Sequence, residues 1–307
     1  MEQQGIYFLA SDSLYDLTVA FLNSLRLHNA TVELCLIPYD NNIGRLLTLR
    51  ARYGFGVFRD VETLAWCDQI SCLFHGYTVG HYRKLAAWRG GFDRFLYIDA
   101  DTVILRDLSF VFSFLEEYAF LTSHSNMPEI TGWTWLASVF GCDCLTVRQK
   151  SFAANTGFIA SRKDSLPVQS VAEGVQKALV CAKGHMRFPP IGEQRLINYL
   201  IVTSGYEYSS LSVLSYIYSR LGLARPIPTE FWAGKPGAIV RDGQLYRSDS
   251  DQPVLLVHWA GRWRPTPYDT WRARAEKLMG RTISGEGVTR VLPYRDLWDY
   301  YRNLGES

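Results

Sequence analysis

Short apolar runs alternate with stretches of helical periodicity through the first 120 residues, and this alternation restricts the fold more than any other feature. "GIYFLAS" (5–11) reads as a strand, followed by a helix from about Leu14 to Leu27. "VELCLIP" (32–38) reads as a second strand and "IGRLLTLRARY" (43–53) as a second helix. "FGVFRDV" (55–61) predicts a third strand, and "HYRKLAAWRGG" (81–91) a helix ending on glycines that suit a C-cap. "RFLYIDA" is the next strand. Such alternation implies an α/β fold, a Rossmann-like mostly parallel sheet with helices on both faces. In these sheets ligands bind outside the carboxyl ends of the strands, where Asp12 and Asp99 both fall.

Beyond residue 120 the pattern loosens. Residues 126–150 are aromatic and irregular and read as a loop or lid. "NTGFIAS" (155–161) predicts a strand, with helices to follow from about Val168 to Val180 and over "GEQRLINYLIV" (192–202). "PVLLVHWAG" (253–261) is a late strand, and 225–252 reads as loop-rich. The expected division is one main domain over 1–270 and a packed helical tail over 271–307 ending in "YRDLWDYYRNLGES".

"FLYIDADTVILRDL" (95–108) carries the first chemical signal. A buried apolar strand ends by presenting Asp99 and Asp101, and two carboxylates there are costly unless positive charge meets them. Residues i and i+2 on extended backbone point to one side, so the pair can converge on a divalent cation. Hard oxygen ligands suit Mg or Mn, which can clamp the phosphates of a ligand.

Composition limits the partners. The formal charge of +2 on 307 residues is too small for a nucleic-acid sleeve. No apolar run is long enough to span a bilayer, though the aromatic, charged tail leaves peripheral membrane contact open. Six cysteines, at 35, 67, 72, 142, 144 and 181, are too scattered for a disulfide framework, and free thiols fit a cytoplasmic location.

Two enzyme classes place such an acid pair after an apolar strand. "FLYIDADTV" fits the nucleophile strand of haloacid-dehalogenase-like Mg phosphatases, yet it arrives late and no DD or GD dipeptide follows to complete their metal site. The chain more fully resembles the retaining glycosyltransferases of family 8, with the GT-A fold, the group that includes glycogenin and lipopolysaccharide galactosyltransferases. "LASDSLY" resembles that family's A-x-D-x-x-Y entry, "NTGFIAS" its N-x-G strand and "GEQRLIN" its D-Q-x-x-L-N segment. "YRKLAAWRGGFDRFLYIDADTVILRDL" resembles its basic helix and D-x-D strand, and "HWAGRWRP" its H-F-x-G-x-x-K-P. Glu193 stands where Asp is usual, Trp259 replaces Phe, Arg264 replaces Lys and Ala154 replaces a common Phe.

The resemblance implies roles for named residues. Asp99, Asp101 and His258 would ligate Mn2+ or Mg2+, and imidazole is a good Mn ligand. Ala10, Asp12 and Tyr15 would contact the nucleotide, Asn155, Gly157 and Gly261 would line the donor site, and Lys84 and Arg264 would meet sugar or diphosphate charge. Glu193 and Gln194 would lie beneath the donor sugar, facing the anomeric carbon. The implied reaction moves a hexose from a nucleotide-diphosphate sugar, a UDP-sugar, to a carbohydrate, lipid or protein acceptor with retention. A non-catalytic nucleotide-sugar-binding protein is the remaining alternative.

Overall fold

The computed structural model describes residues 2–135, 139, 143, 145–181, 192–222, 226–233, 237–241, 244–248, 252–261 and 294–305. Among these, the strands in chain order are β1 (Gln4–Ala10), β2 (Leu34–Pro38), β3 (Phe55–Val57), β4 (Arg94–Asp99), β5 (Thr102–Ile104) and β6 (Phe120–Thr122). They continue as β7 (Phe158–Arg162), β8 (Tyr208–Ser210), β9 (Thr229–Trp232), β10 (Ala238–Arg241), β11 (Gln244–Arg247) and β12 (Val254–His258).

The main sheet has seven strands in the order β3-β2-β1-β4-β7-β6-β8. Its residues alternate between two cores, as a period of two demands. Ile6, Phe8 and Ala10 of β1 face one side with Phe21, Leu22 and Leu25 of the helix Tyr15–His28. Tyr7 and Leu9 face the other, with Cys67, Ile70 and Phe74 of the helix Val61–His75 and with Leu196 and Leu200 of the helix Gly192–Thr203. Each such fully buried side chain contributes about 1.5–3 kcal/mol. The expected α/β sheet with helices on both faces is what the chain forms.

The sheet is not uniformly parallel. β7 runs antiparallel to both β4 and β6, while β3-β2, β2-β1, β1-β4 and β6-β8 are parallel. A second sheet, β5-β12-β9, has β12 antiparallel to β5 and parallel to β9. These reversals build the site. Because β7 enters from the carboxyl end of β4, Asn155 to Gly157 arrive beside Asp99, and the Asp99 amide donates to the Gly157 carbonyl at 2.8 Å. Because β12 opposes β5, His258 pairs with Thr102 and lands beside Asp101.

Several local expectations are corrected. The segment 55–61 is strand only to Val57, and Asp60 starts an unanticipated helix, Val61–His75, by accepting from the Thr63 amide at 3.0 Å. Gly76, at φ 94, closes it. The helix expected over 43–53 is two short ones, Gly44–Leu47 and Arg50–Tyr53. Thr48 bonds back to the Arg45 carbonyl through its hydroxyl at 2.7 Å, which competes with the helical ladder there. The segment 126–150 holds helices Pro128–Thr134 and Val147–Ser151, and 225–252 holds β9, β10 and β11. Residues 80–89 form a 3-10 helix, and Gly90 behind it has φ −79 and is no left-handed cap. Its reason is space, since a Cβ there would stand 1.9 Å from the Tyr7 hydroxyl oxygen.

The terminal helix Arg295–Asn303 packs on the helix Tyr15–His28. Asn23 donates to the Tyr301 carbonyl at 2.8 Å and Arg302 pairs with Asp16 at 2.7 Å. Among the described residues no helix is long and apolar enough to cross a membrane. Cys35, Cys67 and Cys72 are free thiols, while 142 and 144 lie outside the described residues, as does the side chain of 181.

Candidate functional site

β1 and β4 are adjacent in the sheet yet far apart in sequence, and Leu9 pairs with Asp99. The strand order reverses at this point, and the carboxyl ends of such a pair are where α/β sheets of this kind bind ligands. Asp99 closes β4, Asp101 lies in the turn to β5, and His258 ends β12. The ligand atoms of Asp99, Asp101 and His258 lie within 4.8 Å of one another. Two carboxylates and one imidazole nitrogen form a donor set that suits Mn2+ or Mg2+.

The surroundings prepare this set. Tyr97 donates its hydroxyl to Asp99 Oδ1 at 2.6 Å, and burial, with Asp99 beside it, holds that phenol well above its ordinary range and protonated. His258 Nε2 lies 3.1 Å from Asp101 Oδ1, and Nδ1 is bonded to the Glu230 carboxylate. Burial alone would lower the His258 pKa, but Asp101 and Glu230 raise it to about 10. With Nδ1 committed to Glu230, a cation would take Nε2 in place of the proton that now meets Asp101, and the carboxylate–histidine–metal arrangement would then fix tautomer and ring orientation. Gly157 completes the cradle. A Cβ there would stand 2.7 Å from His258 Cε1 and 2.9 Å from Asp99 Oδ2, so any side chain would fill the space between two ligands.

Lys84 supplies the fixed positive charge. Its ammonium, 2% exposed, lies 3.2 Å from Asp99 Oδ1 and 3.5 Å from Glu193 Oε1. Burial opposes the charged form, yet Asp99 and Glu193 outweigh it and raise the Lys84 pKa. The Thr156 carbonyl accepts from the same ammonium at 3.5 Å. Asn155 turns inward, with Oδ1 accepting from the Gly157 amide at 2.8 Å and Nδ2 donating to Glu230 at 3.3 Å.

Asp99, Asp101, His258, Lys84, Glu193, Asn155 and Gly157 are thus one connected cluster. Ala10, Asp12 and Tyr15 stand at the neighbouring carboxyl end of β1. Asp12 does not cap the helix that follows it. Its two carboxylate oxygens take the amides of Arg45 and Leu46, each at 2.9 Å, and so anchor a different helix. That anchoring sets the Arg45 guanidinium 3.6 Å above the Tyr15 ring. Gln194 turns its amide to the Thr134 hydroxyl at 2.9 Å. Gly261 has φ +59, a left-handed conformation that favours glycine. Arg264 lies outside the described residues.

Glu230 is the site residue that sequence inspection misses. It sits in a stretch that reads as loop and has no fixed spacing from either aspartate. Its side chain is 0% exposed, its amide donates to the Ser123 hydroxyl at 2.7 Å, and its carbonyl is bonded to His124 Nε2 at 2.6 Å. A backbone held from both sides leaves the carboxylate one direction, toward His258. Glu230→Gln keeps the shape and removes the charge behind the imidazole. Mn2+ affinity, read by the free-ion paramagnetic signal during titration, is expected to fall about 10–100-fold. Unchanged affinity would show that Glu230 does not tune the ligand.

No protein-family model matches the chain, and no curated protein does. Solved structures do match. The galactosyltransferase LgtC, in complex with donor and acceptor sugar analogs, has a TM-score of 0.53 at 15% identity, covering 95% of this chain and 99% of that one. The apo form of mouse xyloside xylosyltransferase 1 has 0.52 at 13% identity, covering 86% and 99%. The glycosyltransferase GlyE of Streptococcus pneumoniae TIGR4 has 0.48 at 14% identity, and the match covers 99% of this chain but 63% of GlyE. The chain has the GT-A fold that LgtC and xyloside xylosyltransferase 1 share.

Proposed function

We propose that this chain is a metal-dependent glycosyltransferase that moves a hexose from a UDP-sugar to an acceptor hydroxyl with retention. The observation that carries the proposal is the meeting of Asp99, Asp101 and His258 at the switch point, with the Lys84–Glu193 pair beside them. Asp99, Asp101 and His258 would hold Mn2+ or Mg2+, which would supply neutralising charge for the diphosphate leaving group.

The chain's own groups do the rest. Lys84 and Arg264 take charge on the donor's sugar and phosphates, and Lys84 is already fixed by two carboxylates. Asn155 and Gly157 line the sugar, Gly157 by leaving room for it. Tyr15, with Arg45 over its ring, offers the nucleobase a stacking shelf at the end of β1, next to Ala10 and Asp12. Glu193 faces the anomeric carbon and supports positive charge developing there, with Gln194 held by Thr134 behind it. The acceptor is a carbohydrate, lipid or protein hydroxyl, and free thiols at Cys35, Cys67 and Cys72 support a cytoplasmic setting.

A phosphatase would need a later acid to complete its metal site. Among the described residues the metal-capable cluster holds an imidazole instead. The test is UDP release from a panel of UDP-sugars, with Mn2+ and with EDTA. Metal-dependent release from at least one donor is expected, since slow donor hydrolysis accompanies transfer. Absence of both release and UDP binding by calorimetry would sink the proposal.

A further inference from the structure

Trp133 closes the short helix Pro128–Thr134 with its indole 49% exposed. Its ring lies 6.0 Å from that of Trp232, tilted by 43°. Trp232 ends β9 and pairs with His258 in parallel register, so both side chains leave the same face of the small sheet. Glu230, two residues earlier, uses that face to reach His258. The Trp232 ring is also 5.7 Å from that of His124, edge-on. One aromatic wall therefore runs from beside the proposed metal ligands out to solvent.

A second set of bonds fixes the outer end of this wall near the reacting groups. Arg195 donates to the Trp133 carbonyl at 3.3 Å, and Gln194 donates to the next residue, Thr134. Trp133 is thus tied to the first turn of the helix that carries Glu193. These bonds fix the backbone that carries the ring and leave the indole half exposed to solvent.

We propose that Trp133 and Trp232 form the acceptor subsite and that the acceptor is a glycoside, its pyranose ring stacked on Trp133. This rests on the transferase function proposed above. A pyranose presents an apolar face of C–H groups and a rim of hydroxyls, which matches an indole face beside polar groups. The two indoles carry no charge, burial lowers the His124 pKa, and the cationic Arg195 is engaged at the Trp133 carbonyl. Among the described residues the buried Trp232 Nε1 has no hydrogen-bond partner.

Saturation-transfer difference NMR on the full chain with UDP and Mg2+ tests the inference. The probes are methyl β-D-galactopyranoside, methyl β-D-glucopyranoside and methyl α-D-mannopyranoside. Transfer to the ring C–H protons of at least one glycoside is expected, falling about fivefold or more in Trp133→Ala and largely retained in Trp133→Phe. Because Trp133 is half exposed, the melting temperature of Trp133→Ala serves as the fold control. Transfer to no glycoside, or equal transfer in Trp133→Ala, overturns the inference. So does Trp133-dependent transfer to the peptide Gly-Tyr-Gly, or to UDP, in place of the glycosides. UDP binding by calorimetry is read separately. UDP binding without glycoside contact rejects only the acceptor subsite, whereas failed UDP binding rejects the transferase proposal itself.

Discussion

Asp101→Asn is expected to cost about 100-fold or more in Mn2+ affinity and about 10³-fold in UDP release from the donor. The substitution keeps the volume of a residue that is 3% exposed, so packing changes little. What disappears is one of two formal negative charges in the donor set, at the position 3.1 Å from His258 Nε2. An amide is a weaker, uncharged ligand, so the site would hold a divalent ion, and through it the diphosphate, less tightly. Both losses follow from that one change, so they should appear together. A calorimetric Mn2+ titration beside the release assay checks this. Normal metal affinity with lost turnover would assign Asp101 to the sugar instead, and normal values of both would remove the metal from the proposal.

The three candidate ligands were legible in the sequence to different degrees. Asp99 and Asp101 stand out because a continuous apolar strand has no local reason to end in paired acids. His258 carries no such signal alone, and its place was implied only by resemblance over "HWAGRWRP". Glu230 was invisible, since its link to His258 is made by β9 and β12 lying parallel, a fact of topology and not of spacing. Strand direction was equally hidden. An apolar run reads the same in either direction, so β7 could be predicted as a strand but not as the reversed one that delivers Asn155 and Gly157.

Local errors have local causes. The helix Val61–His75 was missed because extending the third strand to Val61 absorbed Asp60, its N-cap. Asp12 precedes a helix, yet its carboxylate serves Arg45 and Leu46, more than thirty positions away. Asp60 has its partner three residues on, whereas that of Asp12 is decided by tertiary placement. The resemblance placed Lys84 at donor charge, and the fold adds that its ammonium is buried between Asp99 and Glu193.

Lys84→Met should therefore be the costliest substitution for stability in the site. Methionine matches the length and fills the volume, but it leaves Asp99 and Glu193 facing each other without a cation. Removing one partner of a buried ionic cluster costs about 3–5 kcal/mol, roughly a 10 °C fall in melting temperature. The pH behaviour follows from the raised Lys84 pKa. A cation whose folded pKa lies above its ordinary 10.5 gives its full stabilisation below 10.5 and loses it only as pH climbs through the folded value. The deficit of the variant should accordingly hold constant between pH 6 and 9, on the order of the same 3–5 kcal/mol. Mn2+ provides the second control. Its charge stands in for the ammonium beside Asp99, so it should raise the melting temperature of Lys84→Met more than that of the parent. Adding Glu193→Gln should recover part of the loss, because one of the two stranded carboxylates is then gone. Melting at the parental temperature without metal would show that solvent already screens both acids and that Lys84 is not their counter-charge.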